Sequence, residues 1–130
     1  MAADAGAAEL KVLSPEAMKP ALQELAAAYE KESGNKLKIE YAPVEAIQKK
    51  VDDDEDYDVV IMDQKQTEAL RRTAKVVGGT IKKLASENDR EYVASSPMLS
   101  EQPVAAQTLI KFLDSPKAAE VYKAKGLQRS

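Results

Sequence analysis

Tyr57-Asp-Val-Val-Ile-Met62 constrains this chain more than any other stretch. A β-branched run with a single charge reads as a strand covered on both faces. Such strands belong at the centre of a parallel sheet flanked by crossover helices. The surrounding periodicity supplies both. Leu10-Lys-Val-Leu13 reads as a first buried strand. Met18, Leu22, Leu25 and Tyr29 recur at three- and four-residue spacing and predict a helix, with Pro15 in its first turn and Ser33-Gly34 as its stop. Leu37-Lys-Ile-Glu-Tyr41 alternates as a strand does, Val44–Val51 reads as a short helix, and Asp52–Asp56 as an acidic loop.

Past the central strand the signals shorten. Thr67–Thr73 reads as helix, Val76-Val77 as a short strand ending at Gly78-Gly79, Thr80–Leu84 as a turn of helix, and Ser86–Arg90 as a charged loop. Glu91-Tyr-Val-Ala94 reads as a strand. Pro103 opens a helix through Leu113 with Ala106, Leu109, Ile110 and Leu113 inward; Ser115-Pro116 then supply the N-cap and first residue of a last helix ending near Gly126. The class implied is α/β: a flavodoxin-like three-layer sandwich, with a mostly parallel sheet of four or five strands and helices on both faces. One domain over residues 9–130 is expected behind a tail at 1–8.

Composition narrows the chemistry. The 130 residues hold 19 Lys+Arg against 22 Asp+Glu, a net charge of −3, and no His, Cys or Trp. Disulfide scaffolds, zinc sites, thiol nucleophiles, Ser-His-Asp triads and His-ligated haem are excluded, and no cofactor is expected. Phosphate-backbone binding needs clustered Lys/Arg, so nucleic acid is not an expected partner. The longest uncharged apolar runs are too short to span a bilayer. No nucleophile stands beside a base, which argues against an enzyme.

Several stretches in order resemble one family. Leu10-Lys-Val-Leu-Ser14, Lys19-Pro-Ala-Leu-Gln-Glu-Leu-Ala-Ala-Ala-Tyr-Glu-Lys-Glu-Ser-Gly34, Asp56-Tyr-Asp-Val-Val-Ile-Met62 and Pro103–Leu127 resemble the periplasmic molybdate-binding proteins, solute-binding components of ABC transporters. The resemblance covers residues 9–84 and 91–127. It implies two α/β lobes closing on a ligand, in chains longer than this one, with the second lobe entering where Ala85–Arg90 lies here. The expectation is therefore a single lobe with a shortcut linker near 85–90, most economically a trimmed, engineered one.

The resemblance also implies an oxyanion site of Ser hydroxyls and backbone N–H groups at helix N-termini, where orphan donors and the dipole favour negative charge. Here the positions depart from that pattern. The first-helix Ser falls on Ala17, with Ser14 three residues upstream, and the Ser-Ser-Gly-like turn falls on Pro43-Val44-Glu45. Pro43 has no N–H, Val44 no hydroxyl, and Glu45 places a carboxylate where an anion would sit, a repulsion of about 1–4 kcal/mol near a surface. The candidate half-site is thus Ser14, Ala17, Pro43, Val44 and Glu45, with Met62 and Asp63 beyond the central strand. Weak or no oxyanion binding is expected. Self-association is expected through the uncovered cleft face or by exchange of C-terminal helices. The family is periplasmic, whereas a start lacking a signal peptide points to the cytoplasm when expressed.

Rival readings are weaker. Asp63 at the end of a central strand also resembles the phosphoacceptor of a response-regulator receiver. That fold needs an acidic pair after strand one, a Thr or Ser ending strand four (Thr80 being the candidate) and a Lys ending strand five, which Tyr92-Val-Ala-Ser lacks. Asp63 as a helix N-cap is the plainer role. Asp52, Asp54 and Asp56 alternate as in a calcium loop, but Tyr57 stands where that loop needs Gly. Gly78-Gly79 reads as a turn, Arg71-Arg72 and Lys82-Lys83 as solvated helix faces, and Tyr29, Tyr57 and Tyr92 as packing residues. A ligand-free designed scaffold is a third alternative.

Overall fold

The computed structural model describes residues 9–53, 56–73, 76, 80–87, 90–97 and 102–129. Strand β1 (Glu9–Pro15) leads through a 3-10 turn (Glu16–Met18) into helix α1 (Lys19–Ser33); β2 (Lys36–Ala42), α2 (Val44–Asp52), β3 (Val59–Asp63) and α3 (Gln64–Arg72) follow. Then come β4 (Lys82–Glu87), β5 (Arg90–Ser95), α4 (Pro103–Leu113), α5 (Pro116–Ala124) and the two-residue β6 (Gln128–Arg129). They form one sheet in the order β2-β1-β3-β5-β4-β6.

The three-layer α/β sandwich expected from the sequence is what the chain forms. Successive side chains of a strand face opposite ways, so each inner strand feeds two cores. Leu10, Val12, Val59, Ile61, Tyr92 and Ala94 pack with Leu22, Leu25 and Tyr29 of α1 and with Leu109, Leu113 and Tyr122 of the C-terminal helices. Leu13, Val60 and Met62 face the other way, onto Val44, Ile47, Val51 and Leu70. Tyr29 stacks obliquely on Phe112 at 5.3 Å, and the buried Tyr122 hydroxyl donates to the Leu113 carbonyl at 2.7 Å.

Directions differ from expectation past β3. β1 runs parallel to β2 and β3, but the β3–β5, β5–β4 and β4–β6 pairings are antiparallel, and a sixth short strand closes the edge. Residues 82–84, expected in a helical turn, are not helical. From Lys82 the chain is strand, so Lys82 and Lys83 lie on a sheet rather than a helix face. The misleading signal has a cause. β4 and β5 slip register between Lys83 and Ala85, leaving Leu84 as an extra residue, and both Leu84 and Ala85 are buried in the first core. Such a bulge breaks the two-residue alternation that marks a strand.

The expected charged loop at Ser86–Arg90 is instead the end of this hairpin, with Ser86 opposite Glu91 and Glu87 opposite Arg90. Val76 forms an isolated bridge with Pro97. Val77, Gly78 and Gly79 lie outside the described residues, as do the tail at 1–8 and Asp54. Pro15 ends β1 and caps the 3-10 turn, so the helix proper starts four residues later, with Pro20 in its first turn.

Gly34 ends α1 in the left-handed region at φ 80°, its N–H donating to the Glu30 carbonyl at 3.0 Å. An added Cβ would meet nothing within 4 Å, so the cost of a side chain there is purely conformational. Gly34→Ala is expected to destabilise the domain by about 1–2 kcal/mol in urea unfolding.

Candidate functional site

Parallel β1, β2 and β3 end at one edge of the sheet, the place where open α/β sheets bind ligands. The register brings the ends level: Ser14 lies opposite Tyr41, Pro15 opposite Ala42, and Leu13 opposite Val60. All seven residues singled out in the sequence fall on or beside this edge, but their side chains divide. Ser14 is fully buried and its hydroxyl donates to the Pro15 carbonyl at 3.0 Å. Val44 and Met62 belong to the second core. Ala17 is half-buried in the 3-10 turn, while Pro43 and Glu45 are exposed.

Pro43 caps α2 without a side-chain hydrogen bond; its carbonyl accepts the Ala46 and Ile47 N–H groups, each at 3.0 Å. Glu45 occupies the first turn of α2 and sets its charge against the positive helix end, the place a bound anion would use. Nearby, Lys19 Nζ lies 5.6 Å from the centroid of the Tyr41 ring.

Asp63 is the N-cap of α3, its Oδ1 accepting the Gln66 N–H at 2.9 Å. The rest of its surroundings the sequence reading missed. Because β5 runs antiparallel, Tyr92 pairs with Asp63, and Arg90 Nε stands 3.9 Å from Asp63 Oδ2. A groove of about 840 Å³ opens between Asp63, Gln64 and Lys65 on one wall and Ser86, Glu87, Arg90, Glu91 and Tyr92 on the other. Three carboxylates face two cations there, and Lys83 draws one of them, Glu91, to 3.5 Å. The available clue was Asn88-Asp89, residue types that favour tight hairpins, between two strand-length segments.

A receiver site does not form. The strands after β3 are antiparallel, and Thr80 precedes β4 instead of ending a strand, its hydroxyl accepting the Ser96 N–H at 3.0 Å. Among the described residues no group of three or more acidic side chains is placed to hold a metal. No helix among them is long and apolar enough to cross a membrane.

The edge and its flanking helices have the α/β arrangement of a solute-binding fold. Residues 10–89 match the family of bacterial extracellular solute-binding proteins, and the chain belongs to that family, one of binding proteins rather than enzymes. In fold it is similar to a substrate-binding domain assigned to a molybdenum ABC transporter of Clostridium difficile. The TM-score is 0.86 at 14% identity over 95% of this chain and 99% of that one. It is likewise similar to the periplasmic molybdate-binding protein of Azotobacter vinelandii, with TM-score 0.85 and 11% identity over 93% and 99% of the two chains. Peb3 of Campylobacter jejuni aligns at TM-score 0.70 and 11% identity over 93% and 100%. No curated protein sequence matches the chain.

Two predictions follow from the geometry. Asp63→Ala removes the α3 cap and should cost about 1 kcal/mol in chemical unfolding, with Asp63→Asn recovering most of it. Burial raises the Tyr41 phenol above its ordinary value of 10.0. Burial first, then the Glu87 charge, does the same for Tyr92, against the opposing Arg90. Both phenols therefore hold their protons in the folded chain at pH values where the unfolded chain has lost them. Their contribution is intact below 10.0 and is lost as pH climbs through the raised values. Stability measured against pH should fall above 10.0, and less steeply in the Tyr41→Phe/Tyr92→Phe double variant.

Proposed function

We propose that this chain acts as one lobe of a molybdate-type solute-binding protein, with the shared edge of β1, β2 and β3 as its half of a ligand cleft and weak or no affinity for tetrahedral oxyanions. On this reading the β4–β5 hairpin is the shortcut standing where a second lobe would enter. The observation that carries the proposal is the start of α2. Pro43 brings no N–H and no hydroxyl, and Glu45 brings an exposed carboxylate to the helix end that should receive the anion. Two further features agree with it. The Ser14 hydroxyl is buried and directed at its own neighbour's carbonyl, and the groove beside Asp63 carries more acid than base.

Thermal unfolding with and without millimolar molybdate, tungstate, sulfate and phosphate tests the reading. A ligand at ~100 times its Kd adds about 2.7 kcal/mol, which moves the midpoint of a domain this size by several degrees. The expected result is one cooperative transition unmoved by any of the anions. A clear rise with molybdate or tungstate, reproduced as heat in titration calorimetry, would overturn the low-affinity reading.

A further inference from the structure

Among the described residues β2 ends one side of the sheet. In a parallel ladder alternate residues of a strand bond the neighbour, and those between direct their N–H and C=O outward. The Leu37 N–H donates to Glu30 Oε2 at 2.7 Å instead of to β1, which places Leu37, Ile39 and Tyr41 in the outward set. The two faces of the strand also differ. Leu37, Ile39 and Tyr41 lie half-buried against the first core, whereas Lys36, Lys38 and Glu40 occupy the opposite face. Lys50 Nζ holds Glu40 Oε2 at 2.7 Å, and this hydrogen bond draws the carboxyl below its ordinary value of 4.5, so Glu40 is charged at neutral pH.

We propose that this edge pairs antiparallel with the same edge of a second copy of the chain, about a twofold axis through Ile39. In that register Ile39 exchanges both of its bonds with the partner's Ile39, and each Tyr41 N–H donates to the partner's Leu37 carbonyl. The Glu30 bond to Leu37 is left undisturbed. Leu37 then faces the partner's Tyr41 on the apolar side, and Lys38 faces the partner's Glu40 on the charged side. Both are favourable cross-strand pairs. The neighbouring registers lose this match. A slip of two residues sets Lys38 against the partner's Lys38 in one sense and Glu40 against the partner's Glu40 in the other. A slip of one opposes outward groups to inward ones and exchanges the faces. The contact is isologous, as a closed dimer requires. It runs along the side of β2, whereas the cleft edge lies across the ends of β1, β2 and β3, and the two meet at Tyr41.

Sedimentation velocity on the whole chain from about 1 μM to 1 mM tests the proposal over the range expected of a small, weak interface. Mass should rise from one copy towards two. Lys38→Glu and Glu40→Lys singly create like-charge oppositions and should hold the protein monomeric. The double swap Lys38→Glu/Glu40→Lys restores opposite charges across the axis and should restore the dimer. Each variant's thermal midpoint establishes that it is folded, a check needed because Glu40→Lys also breaks the partly buried pair with Lys50. A wild-type chain monomeric at every concentration, a dimer indifferent to the single reversals, or a double swap that stays monomeric would each overturn the proposal.

Discussion

Everything in this fold leans on β3, a strand of five residues with no exposed side chain on either face before Asp63. Val59 and Ile61 serve one core, Val60 and Met62 the other, so neither helical layer has a floor without it. Its attachment to β1 is secured just ahead of the strand. The Asp58 N–H donates to the Lys11 carbonyl at 2.8 Å, and the Asp58 carboxylate accepts the Lys11 N–H at 3.0 Å. One residue thereby supplies both halves of a ladder step. Side-chain and main-chain groups together start the pairing that Val12–Val59 and Leu13–Val60 continue.

The reversal of direction after β3 shapes the chemistry of the ligand-facing edge. A parallel neighbour would end there, delivering a strand terminus and the start of another helix. An antiparallel one begins there, delivering Arg90 and Tyr92 to Asp63 and bringing Ser86 and Glu87 along on the paired strand. The edge is therefore electrostatically mixed. Its helix ends at α2 and α3 already have acidic neighbours in Glu45 and Asp63, and those dipoles are spent on the protein's own carboxylates.

Much of this was legible beforehand. The first four elements, apart from the start of α1, and the Gly34 stop and Ser115 cap fall where periodicity and capping chemistry put them; Ser115 Oγ accepts the Ala118 N–H at 3.2 Å. Those elements are held by local signals and by amphipathic faces that need no long-range partner to be recognised. The illegible part lies in residues 80–92. There the strand's alternation is broken by the Leu84–Ala85 bulge, and the hairpin's direction depends on pairing with β3 and β6, which no local window contains. Asp63 was assigned its capping role correctly for the same reason that Arg90 beside it was missed. The first contact lies three residues away in sequence, the second twenty-seven.

The packing of α1 carries a consequence for how the first core closes. Leu22, Leu25 and Tyr29 are covered partly by β1 and β2 but are closed over by Leu109, Leu113 and Tyr122, at the far end of the sequence. Until the C-terminal helices dock, this apolar stripe is uncovered, and uncovered apolar surface is prone to aggregation. Contacts so distant in sequence close late in folding, because the entropy of bringing the segments together is lost before the contact stabilises anything.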